Sequence, residues 1–306
     1  MLYPHFNDLL SYKNHRYDKG LITRHKVYSI APGNHHSPFR GQGLDFDSVR
    51  EYVPGDDIRA IDWRVTARTG SPHVKLFQEE KERHTIICVD MNSSMRFGTR
   101  NTFKSIQAAR CASVLGWRAL AHQDRISICL FGDVPGGVHY LASKHTRQTL
   151  TRMLKILTIP PQEQHCISQA AALHHVSKIA PPGSLIYFIS DFMNFSSDFS
   201  KESRLSHLAK RCDNIFISIN DAADQALVAA GIIGFCGQHT ENIYVNTDSM
   251  QGRALYAAQW KENRQTLTTI SERFNIPLIT LSTESEIYYD LLLGLKLIAK
   301  GKKCLL

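Results

Sequence analysis

Two runs of apolar, largely β-branched residues, IICV at 86–89 and LIYFIS at 185–190, end directly in an aspartate, Asp90 and Asp191. Unbroken apolar runs of this length are buried on both faces, as strands are inside a parallel sheet covered by helices. In such sheets ligands bind beyond the carboxyl ends of the strands, so the two aspartates sit where a site is expected. Further runs of the same kind occur at 125–131, 214–219 and 276–281. Between and beyond them lie segments of helical periodicity at 101–122, 146–159, 168–179, 200–211, 251–274 and 284–300. Strands alternating with helices predict a doubly wound, mostly parallel α/β sheet. The glycines and strand-like residues within 222–248 predict an additional small hairpin.

The first strand empties into Asp90, Asn92, Ser93 and Ser94. Asp90, Asn92 and Ser94 stand at i, i+2 and i+4, and a tight loop aims all three oxygens at one point. Hard oxygens around one point suit Mg²⁺. The same residue types also begin helices as N-caps, and the decapeptide alone is compatible with both readings. The Gly/Pro loop at 132–137 lacks the GxxxxGK[ST] pattern of a phosphate loop. Ser93 and Ser94 have no histidine near them in sequence; His84 and His165 are the ones a fold can bring close.

Hydrophobic content of 43% and charged content of 21% are those of an ordinary globular protein. A net charge of +8 admits an acidic partner such as nucleic acid, a lipid surface or an acidic protein, but no run of five basic residues occurs. The seven cysteines include no Cys-x-x-Cys, and Cys88 and Cys129 fall inside apolar runs, which predicts buried thiols and a reducing compartment. The opening residues lack the pattern of a secretory leader, and the apolar runs at 185–189 and 291–299 are too short to span a bilayer. A soluble cytoplasmic protein without membrane insertion is expected.

The N-terminal part, 1–81, reads differently from 82–306. Residues 21–30 hold a strand or a short helix, and APGNHHSP at 31–38 reads as a loop. The stretch 40–70 alternates arginines at 40, 50, 59, 64 and 68 with acids at 45, 47, 51, 56, 57 and 62. PGDD at 54–57 is a turn signal. Arg59 and Arg64 flank Asp62 and Trp63, which predicts bidentate arginine–carboxylate pairs beside an aromatic ring. Residues 74–80 read as a strand.

The run FDSVREYVPGDDIRAIDWRVTAR at 46–68 resembles the signature of a bacterial family known only as domain of unknown function fifty-eight. There the signature precedes a von Willebrand factor A-like domain, and here VDMNSSM at 89–95 and ISDF at 189–192 follow it. The resemblance implies a von Willebrand A-like doubly wound, mostly parallel sheet over 82–306, with an N-terminal accessory β-containing segment. It also implies a metal-ion-dependent adhesion site. Asp90 matches its first acid, Ser94 its second serine and Asp191 its last acid. Asn92 replaces the first serine, and QHCIS at 164–168 stands where a Gly-Thr is expected, leaving Ser168 as the hydroxyl. The implied metal set is therefore Asp90, Asn92, Ser94, Ser168 and Asp191, with Mg²⁺ as the ion. Such a site recognises a partner's acidic side chain, so the resemblance implies a non-enzymatic interaction module. The family's association with MoxR-type AAA+ ATPases makes such an ATPase, with a client protein, the implied partner. Two other readings of the residues are a Mg²⁺-dependent phosphoester hydrolase using the same acids and a nucleic-acid binder. The second is disfavoured because acids nearly cancel the arginines of 40–70.

Overall fold

The computed structural model describes residues 3–17, 32–41, 45–134, 137–142, 147–160, 169–193, 203–235 and 243–301. Residues 21–30, His165 and Ser168 lie outside the described residues.

A short helix α1 (Phe6–Ser11) comes first among the described elements. The accessory segment then forms a three-stranded antiparallel sheet of β1 (Pro32–Gly41), β2 (Asp45–Glu51) and β3 (His73–Lys81), in the order β1-β3-β2. A short helix, α2 (Trp63–Thr69), lies between β2 and β3 in the chain. Of the loop expected at 31–38, residues 32–38 are in fact part of β1. An edge strand tolerates proline because one side of its ladder is unused, and β1 takes that position with two register shifts along its pairing to β3.

The second sheet has six strands: β4 (His84–Asp90), β5 (Arg125–Phe131), β6 (Val138–Leu141), β7 (Leu185–Ser190), β8 (Asp213–Asn220) and, after the hairpin of β9 (Ile232–Phe235) with β10 (Ile243–Asn246), β11 (Leu278–Ser282). Its order is β11-β8-β7-β4-β5-β6. All pairings are parallel except β5 with β6. The chain thus winds outward from β4 through β5 to β6, returns to the other side of β4, and winds outward again through β7 and β8 to β11. Strand order reverses between β4 and β7, the switch point at which a doubly wound sheet opens a crevice.

Helices cover both faces. Along β4 the side chains alternate: Ile87 and Val89 join one core cluster, Ile86 and Cys88 the other. The first cluster packs under α1, α3 (Lys104–Ala121), α4 (Arg147–Leu157) and the closing helix of the described chain (Ile287–Ala299). The second packs under α5 (Gln169–Ile179), α6 (Ser203–Arg211) and the end of the 24-residue helix Met250–Arg273. Counting the short helix α7 (Ala222–Gln225) after β8, these last two are α8 (Met250–Arg273) and α9 (Ile287–Ala299). Cys88 and Cys129 are opposite each other across β4 and β5, both fully buried, as expected of thiols that pack as small hydrophobes. Among the described residues no helix is long and apolar enough to cross a membrane.

Candidate functional site

Asp90 is the last residue of β4 and Asp191 directly follows β7, so the switch point brings the two sequence-singled acids to neighbouring strand tips. Both are buried, at 1% exposure. The loop after Asp90 turns at once: the Asp90 carboxylate accepts from the backbone N–H of Asn92 at 2.9 Å and from its side-chain nitrogen at 2.7 Å, both on Oδ1. Oδ2 accepts the hydroxyl of Ser190 from β7 at 2.6 Å. Ser93–Met95 then forms a single 3₁₀ turn that carries Ser94. The capping reading of this loop is realised as a local Asx-type turn rather than the start of a long helix.

Gly132, following β5, closes on this loop. Its φ of +103° lies where side chains are disfavoured, and a Cβ there would stand 2.7 Å from the Asn92 nitrogen and its Oδ1. Arg96 adds a second tie, donating to Asp133 at 2.6 Å. On the β7 side, Phe192 adopts φ +55°, which is uncommon for an aromatic residue. Ser190 Oγ accepts its N–H at 3.0 Å, and Asp191 Oδ1 accepts the Met193 N–H at 3.1 Å. That turn points the other oxygen of Asp191 inward.

What it meets is Lys104, which the motif reading did not single out. The residue is 1% exposed, and Nζ donates to Asp191 Oδ2 at 2.9 Å and to Asp224 Oδ2 and Oδ1 at 3.0 and 3.3 Å. Phe97 lies beneath the ammonium, 5.6 Å from ring centroid to Nζ. Burial depresses the lysine's proton affinity, but Asp191 and Asp224 outweigh it, and its pKa ends above the ordinary value. Lys104 opens α3, where the helix dipole disfavours a cation; the two carboxylates supply what the helix does not. Arg264 of α8 donates to the Asp191 carbonyl and to Ser218 Oγ.

Asp221 and Asp224 extend the same plan to a third strand. They follow β8 and form a capping box over α7. Asp221 accepts from Thr99 N and Oγ1 at 3.0 and 2.5 Å, from Ala223 N at 2.9 Å and from Thr283 Oγ1 at 2.7 Å. Burial raises its pKa, but these bonds prevail and hold it below the usual carboxylate value. The sequence carried a signal for this: FISIND at 216–221 is a third apolar strand running into an acid.

A metal-ion-dependent site needs several oxygens turned on one cation. Here an ionised carboxylate, which only accepts, draws the nitrogen of the Asn92 amide to Asp90 instead of its oxygen, and Asp191 is already neutralised by an internal ammonium. Ser94 lies in the 3₁₀ turn, and Ser168 is outside the described residues. Among the described residues no three His, Cys, Asp or Glu side chains are placed to hold a metal ion. As arranged, the described residues of the set, Asp90, Asn92, Ser94 and Asp191, do not fit Mg²⁺.

The strand order and the polar cluster at its switch point define a doubly wound α/β domain with its loops cross-tied at the carboxyl edge. The family described as Protein of unknown function DUF58 matches residues 48–266, and the chain belongs to that family. Uncharacterized protein Rv1480 of Mycobacterium tuberculosis and Uncharacterized protein Mb1516 of Mycobacterium bovis are each 26% identical over 213 residues. The match takes in 69% of this chain and 66% of theirs, just under two thirds of their length. Among solved structures, the conserved hypothetical protein BatB from Bacteroides thetaiotaomicron superposes with a TM-score of 0.41 at 10% identity, over 71% of this chain and 98% of that one. A von Willebrand factor type A protein from Catenulispora acidiphila gives 0.40 at 10% identity, over 74% and 44%. At such scores the fold rests on the strand order itself.

Proposed function

We propose that the chain is a non-enzymatic protein-interaction module of the cytoplasm, and that it works as partner or adaptor of a MoxR-type AAA+ ATPase in assembling or remodelling a client protein. What supports the module reading is the use of the acids at the switch point. Asp90, Asp191, Asp221 and Asp224 spend their oxygens on the chain's own donors, which fixes loops in place and leaves no pair poised for proton transfer. His84 begins β4, about 20 Å of strand away from Ser93 and Ser94, and its Nε2 is engaged with Ser127 at 2.6 Å. His84 is therefore no base for Ser93 or Ser94. Metal binding does not enter the reading.

The test is affinity capture of the tagged protein with in-cell cross-linking, followed by identification of the captured chains. A MoxR-type ATPase among them is the expected result; its consistent absence under cross-linking removes the adaptor role. Incubation with p-nitrophenyl phosphate and Mg²⁺ should give no turnover. Turnover that disappears in Asp90→Ala would replace the module by a hydrolase.

A further inference from the structure

In the sequence, acids and arginines of the 40–70 stretch nearly cancel. In the structure Arg50 and Lys75 take up Asp56 and Asp62, which leaves Arg59, Arg64 and Arg68 of the 53–68 stretch with Asp57 alone. Asp56 accepts both terminal nitrogens of Arg50 at 2.7 Å, plus the Val53 N–H at 2.9 Å. Asp57 accepts the Arg59 N–H at 2.9 Å. Asp62, expected to pair with the flanking arginines, instead caps α2 through the N–H groups of Arg64 and Val65 at 3.0 and 3.2 Å, and stands 3.7 Å from Lys75. The Arg50 guanidinium, and after it the Val53 N–H, hold the Asp56 carboxyl below its ordinary pKa, and the Val65 and Arg64 N–H groups do the same for Asp62. The side chains of Arg59, Arg64 and Arg68 are exposed, and among the described residues no carboxylate pairs with them.

The same stretch exposes large apolar side chains: Trp63 at 67%, Ile58 at 64% and Val53 at 56%. Tryptophan and arginine are the residues that anchor interfaces, and an indole left two-thirds in water has most of its surface free of packing. The support beneath it is stiff: a bidentate ion pair, two capped turns, and β3, which pairs with Ile61 and receives the Asp62 N–H on the His73 carbonyl at 2.8 Å. A pre-organised surface loses little freedom on binding.

We propose that the 53–68 stretch is a docking surface for an acidic segment of a partner protein, with Trp63, Ile58 and Val53 taking an apolar or aromatic anchor and Arg59, Arg64 and Arg68 its carboxylates. Three exposed guanidinium groups, none ion-paired among the described residues, outnumber Asp57 and favour an acidic ligand. Ile58 and Val53 select a polypeptide over a nucleic acid, since phosphates and sugars offer an aliphatic patch little to bury against. This rests on the reading of the chain as an interaction module, but names a surface distinct from the switch-point site.

The probe is a fluorescently labelled glutamate–tyrosine copolymer, read by anisotropy against the full chain. Wild type should bind, with affinity falling as salt rises. Trp63→Ala should weaken binding at least tenfold, and the triple change Arg59→Glu, Arg64→Glu, Arg68→Glu should abolish it. Arg152→Glu with Lys155→Glu, exposed cations on α4, should stay within twofold. All substituted positions are exposed, so melting temperatures should match wild type. Absent wild-type binding, or equal loss in the α4 variant, overturns the proposal. So does tighter binding of a single-stranded oligonucleotide of equal charge. If an ATPase is captured equally by wild type and Trp63→Ala, the module reading stands and this surface falls. If the copolymer binds as expected but no ATPase is captured, the surface stands and the adaptor role falls.

Discussion

Replacing Lys104 by methionine keeps the length and apolar stem of the side chain and deletes one buried charge. Nζ bridges Asp191 and Asp224, both within 5% exposure of complete burial. Without it each carboxylate keeps one backbone donor, Met193 N–H for Asp191 and Asp221 N–H for Asp224, and the two like charges lose the ammonium that bridges them, with the Arg264 guanidinium still near both. A hydrogen bond to a charged group contributes about 1.5–3 kcal/mol, so two lost partners come to roughly 3–6 kcal/mol. Breaking a buried ion pair from one side costs about 3–5 kcal/mol by direct precedent. Lys104→Met should therefore lower the unfolding free energy in urea at neutral pH by about 3–5 kcal/mol. Adding Asp224→Asn to that variant removes one of the stranded charges and should recover at least about 1 kcal/mol, a coupling of the size contacting residues show. Circular dichroism at a series of urea concentrations measures both. A loss below about 1 kcal/mol, the range of a solvent-exposed pair, would refute the idea that this ammonium is the internal cation of the site.

The other expectations concern the same edge of the sheet and its far end. Calorimetric titration of chelator-stripped protein with Mg²⁺ and Mn²⁺ should give no saturable heat in wild type or in Asp90→Ala; one-site binding lost in the variant would return a metal to Asp90. Gly132→Ala combines a positive φ with a clash against the Asn92 backbone and should cost about 2–4 kcal/mol of unfolding free energy, from backbone strain and displaced packing together; a change under about 0.5 kcal/mol would show that the loop yields freely. His84 has its pKa depressed to about 4, by burial first and then by Arg125, with Asp124 opposing. The native state therefore resists protonation that the unfolded chain accepts near its ordinary 6.5, so stability is full above that value and declines as pH falls toward 4, by at most about 3 kcal/mol. Urea unfolding at pH 7 and pH 4.5, wild type beside His84→Gln, checks this: the variant should lose less on acidification, and equal losses would assign the effect elsewhere.

The central sheet was legible because its strands carry a one-dimensional code. Unbroken apolar runs such as 86–89 and 185–190 have few alternatives to burial in a parallel sheet, and the acids at their ends mark the edge where they stop. Asp90 and Asp191 did reach neighbouring strand tips. Lys104 was not legible, because a single lysine in a helical segment reads as solvated until the carboxylates 87 and 120 residues further along are folded against it. The accessory segment was misread for a related reason. Proximity in sequence suggests arginine–carboxylate pairings there, whereas backbone N–H groups at helix starts compete for the same carboxylates. Asp62 went to the first turn of α2, and the bidentate pair formed six residues apart between Arg50 and Asp56. The β1 strand escaped because proline and glycine normally punctuate loops, and only an edge position permits them in a ladder.

The long sequence separation of the Lys104 contacts also orders events as the chain is made. Lys104 emerges early from the ribosome, and α3 with β4 and β5 can pack before either counter-charge exists. Asp191 arrives with the end of β7, Asp224 only after β8. Until then the first turn of α3 carries an ammonium with neither of its two carboxylates to pair with. The first turn of α3 therefore reaches its full burial only with the aspartates that follow β7 and β8 in place.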